Sequence, residues 1–333
     1  MAAHFNLKLY NFEKEGKGVE KDEKKPVAFL RVFILYFRNF WKMTLFNLAR
    51  FGALIPLVAV AVSAVVIMMG EDAINSFIAA ESFQTFNQSY PWVMIFVNIY
   101  HFFTESSLKM ALGILLFAAS ALSLGPLSAG MAYVSRNTSR EEHTFTTDIF
   151  SVGWENKKQA IPMGLLDLLA TFSVLLYFFY DFAGINPGYG MLMNFLKYFA
   201  VVVYVFYIVM RVYAYMIMVT FEMTFGEILK NAFILAYSNL PRTLIIWATI
   251  AAIVALNVFL PLPSLLLLPL FDISFTSFVA GFVCFAPLDK HMIQPTIQLI
   301  REQKEQEQRE KEEKEAAIEL LRSGRQPGRK KKK

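Results

Sequence analysis

Blocks of about 20 mostly apolar residues recur along this chain, and an α-helix needs that length to cross about 30 Å of hydrocarbon. The 333 residues are 56% hydrophobic and 18% charged, which is far from the composition of an average soluble domain. The blocks predict an all-α membrane protein with about six transmembrane helices. We place the spans at about 51–69, 110–134, 161–182, 195–220, 243–260 and 265–288.

The charges of the connecting segments predict the orientation. Lys and Arg lie almost wholly in the terminal segments and in every second connection, which is the positive-inside bias of a multi-pass plasma-membrane protein. Both termini are therefore expected in the cytoplasm, with the spans arranged as three hairpins. The predicted segments are a polar flexible segment at 1–26, a membrane domain at 27–290 with an extracytoplasmic insert at 70–108, and a charged cytoplasmic helix with a polybasic tail at 291–333.

A short pattern, Phe-x3-aromatic-x-Asn followed closely by a base, occurs three times, each time just before an apolar block. Its copies are Phe33, Phe37 and Asn39 with Lys42, then Phe150, Trp154 and Asn156 with Lys158, then Phe233, Tyr237 and Asn239 with Arg242. On a helix the two rings are neighbours, and the Asn and the base are expected to turn toward water. The pattern predicts three cytoplasmic amphipathic helices at the membrane interface, the first within a helix at 27–50. Chance in a chain with 33 Phe is the alternative.

Two residues in the second span, Gly125 and Pro126, predict a bend or break of that helix. The span is rich in Gly, Ala and Ser, which let membrane helices approach closely. Close packing is the favoured reason for these residues, and a break that lines a substrate path is the alternative.

Charged residues inside spans are costly in hydrocarbon and are therefore the best candidates for a site. Asp167 in the third span and Arg211 in the fourth are expected to meet at similar depth if these spans form a hairpin. An ion pair that locks the bundle is the favoured role, and a solute or proton site is the alternative. Asp272 in the sixth span is expected to reach the outer interface.

Catalytic, cofactor and metal sites are not predicted. The four His residues lack metal-ligand spacing, and the chain has no Gly-rich phosphate loop. We therefore expect a protein that is not an enzyme. The terminal cluster is expected to contact anionic lipid headgroups rather than nucleic acid; it comprises Arg329, Lys330, Lys331, Lys332 and Lys333.

Further short motifs resemble those of the YesL family of bacterial integral membrane proteins, whose domain has no assigned function. They are Trp41-Lys42 with Asn47, Gly125-Pro126 with Ala132-Tyr133, Arg140-Glu141-Glu142, Asp148-Ile149-Phe150, Asn156-Lys157, Asn231-Ala232 and Asn239-Leu240-Pro241-Arg242. The resemblance covers roughly residues 30–290. It implies a role beside carbohydrate-uptake transporters or sensor kinases and supplies no catalytic residues.

Three functions are compatible with this sequence. A non-enzymatic accessory or scaffold protein for carbohydrate uptake or sensing is favoured by the repeated interfacial helices. A solute transporter or permease-like subunit that uses Asp167 and Arg211 is the second hypothesis. A membrane-insertion factor is the third, suggested by an intramembrane Arg together with a basic tail.

Overall fold

The computed structural model describes residues 28–69, 81–89, 105–182, 191–260 and 266–322, and the single positions 76, 79, 98, 101, 102 and 263. Every regular element within these residues is a helix. The α-helices are α1 Ala28–Arg38, α2 Phe40–Met69, α3 Glu81–Ser89, α4 Ser107–Ser139, α5 Asp148–Glu155, α6 Lys157–Phe182, α7 Met191–Met218, α8 Phe225–Ser238, α9 Leu240–Phe259, α10 Ile273–Leu288 and α11 Gln294–Arg322. Two π-helical turns flank α10: π1 at Leu268–Asp272 and π2 at Asp289–Ile293.

Six helices in the described part of the chain are long and apolar enough to cross a membrane. They cover Phe40–Val60, Ser107–Ser139, Lys157–Leu175, Asn194–Met218, Leu240–Phe259 and Leu268–Glu319. Only 6% of the most apolar window of α9 is buried, so its apolar side chains face outward, which is stable in lipid but not in water. The predicted all-α membrane class is confirmed, and the chain has the architecture of a multi-pass membrane protein.

The helix boundaries differ most from the prediction near the N-terminus. A single helix was expected at 27–50, but α1 ends at Arg38 and α2 begins at Phe40, so the first long helix starts well before residue 51. The other long helices begin and end within a few residues of the predicted spans. The predicted segment 1–26, most of the insert 70–108 and the lysine cluster 329–333 lie outside the described residues.

Helix α4 lies at the centre of the bundle, where it packs against α2, α5, α6 and α7. Its glycines permit direct backbone contact. A Cβ atom on Gly125 would lie 1.8 Å from the carbonyl oxygen of Ala160, and one on Gly130 would lie 1.8 Å from that of Ile149. A Cβ on Gly164 of α6 would lie 2.5 Å from the backbone nitrogen of Gly125. Glycine is therefore required where α4 meets α5 and α6.

A bend or a break was predicted at Gly125 and Pro126; α4 continues through both residues to Ser139, so the helix is not broken there. Pro126 cannot donate a backbone hydrogen bond, but both residues are buried in the packed half of the helix. Neighbouring helices thus hold α4 continuous across the proline, as membrane bundles often do.

Side-chain contacts give the relative directions of two helix pairs. Lys42, early in α2, donates to the carbonyl and hydroxyl oxygens of Thr144 beyond α4, whereas Arg50 farther along α2 donates to the carbonyl oxygen of Leu124 inside α4. The later residue of α2 thus contacts the earlier residue on the α4 side, so the two helices run antiparallel. The same holds for α6 and α7, which meet through Asp167–Arg211 and, one turn later on α6, through Thr171–Tyr204.

The chain divides into two compact units, residues 1–286 and 287–333. The first has an apolar core built by α1, α2, α4, α5 and α10, which includes Tyr36, Phe46, Met131, Ile149 and Phe278. The second contains π2 and α11, and every residue from 301 to 319 of α11 is exposed. Such a solvated, charged helix is the structure predicted for this segment.

Candidate functional site

The first unit contains a cavity of about 600 Å³ lined by α2, α4, α6, α7, α9, π1 and α10. Most of its lining is apolar, and four charged side chains face it: Arg50, Asp167, Arg211 and Asp272. This volume is within the usual range for small-molecule sites. The described residues contain no group of three His, Cys, Asp or Glu side chains that could hold a metal ion.

Asp167 and Arg211 form a two-pronged ion pair on the wall of this cavity. Arg211 Nε donates to Asp167 Oδ1 at 2.9 Å, and Arg211 Nη2 donates to Oδ2 at 2.8 Å. The hydroxyls of Tyr207 and Tyr215 donate to the same two oxygens at 2.6 and 2.8 Å. The buried carboxylate therefore accepts four hydrogen bonds, which is the saturation that a buried charge requires.

The spacing of α7 explains why its donors converge. Tyr207, Arg211 and Tyr215 are four residues apart and lie on one face of the helix. Asp167 lies ten residues after the start of α6, and Arg211 lies seven residues before the end of α7. These separations correspond to about 15 Å from the start of α6 and about 10 Å from the end of α7. The structure thus brings the predicted pair together. The tyrosines four residues before and after Arg211 could have been included in the predicted site, because this spacing puts them on the same helix face as Arg211.

Arg50 on α2 is a cavity residue that the sequence analysis missed. Its Nη1 donates to the carbonyl oxygen of Leu124 at 2.9 Å and to the hydroxyl of Ser128. It also interacts electrostatically with Asp167 and Arg211. Arg50 was placed outside the first span because α2 was expected to start after it.

Asp272 was predicted to reach the interface, but it is buried, with 4% of its surface exposed, and it lines the cavity. Its Oδ2 accepts a hydrogen bond from Asn257 Nδ2 at 2.7 Å. Oδ1 of Asp272 and Oδ1 of Asn257 are both buried and have no hydrogen-bond partner. Asp272 stays inside the bundle because π1, which ends at this residue, is bound to α2.

Asn47 makes that connection. Its Nδ2 donates to the carbonyl oxygen of Leu268 at 2.7 Å, and its Oδ1 accepts from the backbone N–H of Ser274 at 2.6 Å. A π-helical turn interrupts the regular bonding of a helix, and Asn47 satisfies one group on each side of the interruption. Nearby, Tyr36 shares a hydrogen bond of 2.8 Å with the Ser274 hydroxyl, and burial raises the pKa of Tyr36 to about 12.

The three copies of the repeated pattern form the same junction between a short and a long helix. The asparagine stands alone between the helices in each case, at α1–α2, α5–α6 and α8–α9. Each side-chain amide donates to the carbonyl oxygen four residues earlier: Asn39 to Leu35 at 3.0 Å, Asn156 to Val152 at 2.8 Å and Asn239 to Leu235 at 3.1 Å. Each backbone carbonyl accepts from the residue three positions later, at 3.0 Å in all copies: Lys42, Gln159 and Arg242. The asparagine therefore caps the end of one helix and the start of the next.

The asparagines do not turn toward water as predicted, and Asn156 is buried. A side-chain amide that bonds its own helix satisfies a terminal carbonyl, which outweighs hydration of the amide. The bases differ among the copies: Lys42 bonds Thr144, whereas Lys158 and Arg242 are exposed.

The aromatic side chains of the pattern share one face. Phe37, Phe150, Trp154, Phe233 and Tyr237 are exposed, and Phe33 is partly buried against Phe275 with ring centroids 5.6 Å apart. In the third copy the Phe233 and Tyr237 ring centroids are 4.2 Å apart. The positions three, four and seven residues before each asparagine are buried or partly buried. The short helices therefore turn the same face to the bundle and leave all of these rings except Phe33 exposed.

Comparison of the chain with family models, curated proteins and solved structures gives no match.

Proposed function

We propose that this multi-pass membrane protein binds a small anionic solute in its intramembrane cavity, as a transporter or permease-like subunit. The observation that carries the proposal is the presence of two guanidinium groups, Arg50 and Arg211, with one carboxylate, Asp167, on one part of the cavity wall. Two positive charges and one negative charge leave an excess of one positive charge on that part of the wall. Asp272, the fourth charged side chain of the cavity, forms no ion pair with either arginine.

An uncompensated charge in a membrane interior costs several kcal/mol. A carboxylate or phosphate group bound between the arginines would remove that excess, and guanidinium forks suit these planar or tetrahedral anions. Asp167 and its two tyrosine donors hold the Arg211 guanidinium in place, so their role is positioning. Arg50 is held by Leu124 and Ser128 in the same manner.

Ligand-induced stabilisation of the purified full-length protein in lipid nanodiscs tests this proposal, with glucuronate, citrate and inorganic phosphate as probes and glucose as the neutral control. A ligand at one hundred times its Kd stabilises the folded state by about 2.7 kcal/mol. At least one anion should raise Tm, and glucose should not. Arg50→Gln should remove the rise, whereas Arg242→Gln, at an exposed arginine, should retain it.

Two results contradict the proposal. One is a wild-type protein that none of the three anions stabilises. The other is an Arg50→Gln protein that folds and is stabilised as much as the wild type.

We also propose that α1, α5 and α8 lie in the cytoplasmic headgroup region, each leading one of three transmembrane hairpins. Exposed rings beside bases, such as Trp154 with Lys157 Nζ 4.6 Å from its ring centroid, suit that region. The three equal junctions support a common orientation of the three helix pairs.

An accessory or scaffold role is the second candidate, because the same exposed rings offer three similar surfaces to a partner protein. Several further properties stay predictions from the sequence. They are membership of the YesL family, the link to carbohydrate uptake or sensing, a transporter or kinase partner, the plasma membrane as location, the lack of enzymatic activity, and lipid binding by residues 329–333. The insertion-factor hypothesis likewise stays a prediction.

A further inference from the structure

Two buried acceptor oxygens without a donor belong to one hydrogen-bonded pair of side chains in the cavity wall. Asp272 on π1 and Asn257 on α9 are joined by a 2.7 Å hydrogen bond, and the remaining oxygen of each group, Oδ1, has no partner. A buried acceptor that lacks a donor destabilises the folded state. Both groups line the cavity, so whatever satisfies them can enter from there.

The amide of Asn257 is fixed in its orientation. Its two Nδ2 hydrogens are committed, one to the carbonyl oxygen of Ile253 at 2.9 Å and one to Asp272 Oδ2. Rotating the amide would lose both bonds, so Asn257 Oδ1 can only be satisfied by a new donor.

One proton satisfies both oxygens. A carboxylic acid carries its hydrogen on one oxygen, and an acid paired with an amide accepts the amide N–H on one oxygen and donates from the other to the amide oxygen. We propose that Asp272 is a proton-binding site, in which a proton on Oδ1 is shared with Asn257 Oδ1 and exchanges with water in the cavity. Release leaves Asp272 with one negative charge and converts a cavity water to H₃O⁺.

The neighbouring charges favour this assignment. The titratable and charged groups around the contact come from four elements. Tyr36 on α1 interacts electrostatically with Asp272, and Arg50 on α2, Asp167 on α6 and Arg211 with its tyrosines on α7 line the same cavity. The other lining segments, on α4, α9 and α10, contribute no ionisable side chain. Among the described residues no cation lies within ion-pair distance of Asp272, whereas Asp167 has Arg211. A buried carboxyl without a cation is stabilised in its neutral form.

The consequence for ligand binding rests on the proposed function. With Asp272 protonated, the excess positive charge beside Arg50 and Arg211 is available to an anion. After proton release, Asp272 adds a negative charge to the same cavity and opposes the anion. Proton and anion should therefore bind with positive cooperativity, about 5- to 150-fold for a coupling of ordinary size.

Infrared difference spectroscopy of the full-length protein in nanodiscs, without added anion and across a pH series, tests the proton site. Wild type should show the carbonyl-stretch band of a protonated carboxyl at neutral pH, shifted by ¹³C labelling of aspartate. Asp272→Asn should remove the band, and Asp289→Asn, at a partly exposed aspartate that does not line the cavity, should leave it. Asn257→Leu should move the band to higher frequency because the acid loses its acceptor.

The proposal is overturned by a wild type without the band, by persistence of the band in folded Asp272→Asn, or by an unchanged band in Asn257→Leu. If Asp272→Asn does not fold, the presence of the band in the wild type and its shift in Asn257→Leu decide whether Asp272 binds the proton. A band that appears only when sodium is removed also overturns it, since the site would then hold a metal cation.

Anion binding separates this inference from the proposed function. If the Asp272 band titrates with pH but no anion stabilises the protein, the proton-site proposal stands and the anion-site proposal is refuted. If an anion stabilises the protein and Arg50→Gln removes that effect, but the wild type lacks the band, the anion-site proposal stands and the proton-site proposal is refuted.

Discussion

Two aspartates line the same cavity in opposite surroundings. Asp167 accepts hydrogen bonds from Arg211, Tyr207 and Tyr215, while Asp272 accepts one from Asn257 and keeps one oxygen without a partner. Asp167 therefore has a cationic partner, whereas Asp272 has only a neutral one. Asp167–Arg211 is thus a closed ion pair in the cavity wall, and Asp272 is the group that we propose to bind and release a proton.

Removing Asp167 should be costly. In Asp167→Asn the Arg211 guanidinium stays buried without its counter-charge, and we expect a loss of about 3–5 kcal/mol in the free energy of unfolding. Denaturant unfolding in mixed micelles measures it. The double change Asp167→Asn with Arg211→Met should recover most of the loss, because no unpaired charge remains.

Glu105→Gln provides the matched control. Its ion pair with Lys109 is 2.5 Å long but exposed, and such pairs contribute about 0.3–0.5 kcal/mol. If Asp167→Asn destabilises the protein no more than Glu105→Gln, the buried pair does not stabilise the bundle.

Among the elements, the three short helices α1, α5 and α8 are the clearest repeat in the molecule. Their register was visible in the sequence because Phe, aromatic and Asn positions recur at fixed spacing. The role of the asparagine was not visible, since a cap depends on where one helix stops and the next begins, and apolar periodicity runs through a single-residue junction without change. The first junction was therefore missed, and with it the early start of α2 that brings Arg50 into the bundle.

The depth of α5 can be measured with Trp154, which is 58% exposed. The chain has four Trp, so variants that keep one Trp at a time report single positions. Fluorescence from Trp154 should be quenched most by lipids brominated near the headgroup, because the ring faces the interface. Trp247, seven residues after the start of α9 (Leu240), is the control, and deeper bromines should quench it best. A Trp154 signal that no brominated lipid quenches would place this face against protein or water.

At the scale of the whole molecule, the fold class was predictable, since length and composition of the apolar blocks suffice for it. The cavity was not. Its charged residues are separated by more than two hundred positions, from Arg50 to Asp272, and only the packing of α2, α6, α7 and π1 brings them together. The proline that was expected to bend or break α4 also shows the limit of local reasoning, because α4 continues through it where its glycines pack against α5 and α6.

We propose that the chain crosses the membrane with all three asparagine junctions on its inner side. Its single cysteine, Cys284, is buried, so a Cys284→Ala background allows exposed single cysteines at Arg38, Lys158, Arg242 and, on α3, Gln88. A membrane-impermeant maleimide applied to intact cells should label Gln88→Cys alone, and all four variants after permeabilisation. Labelling of any junction variant in intact cells would contradict the account.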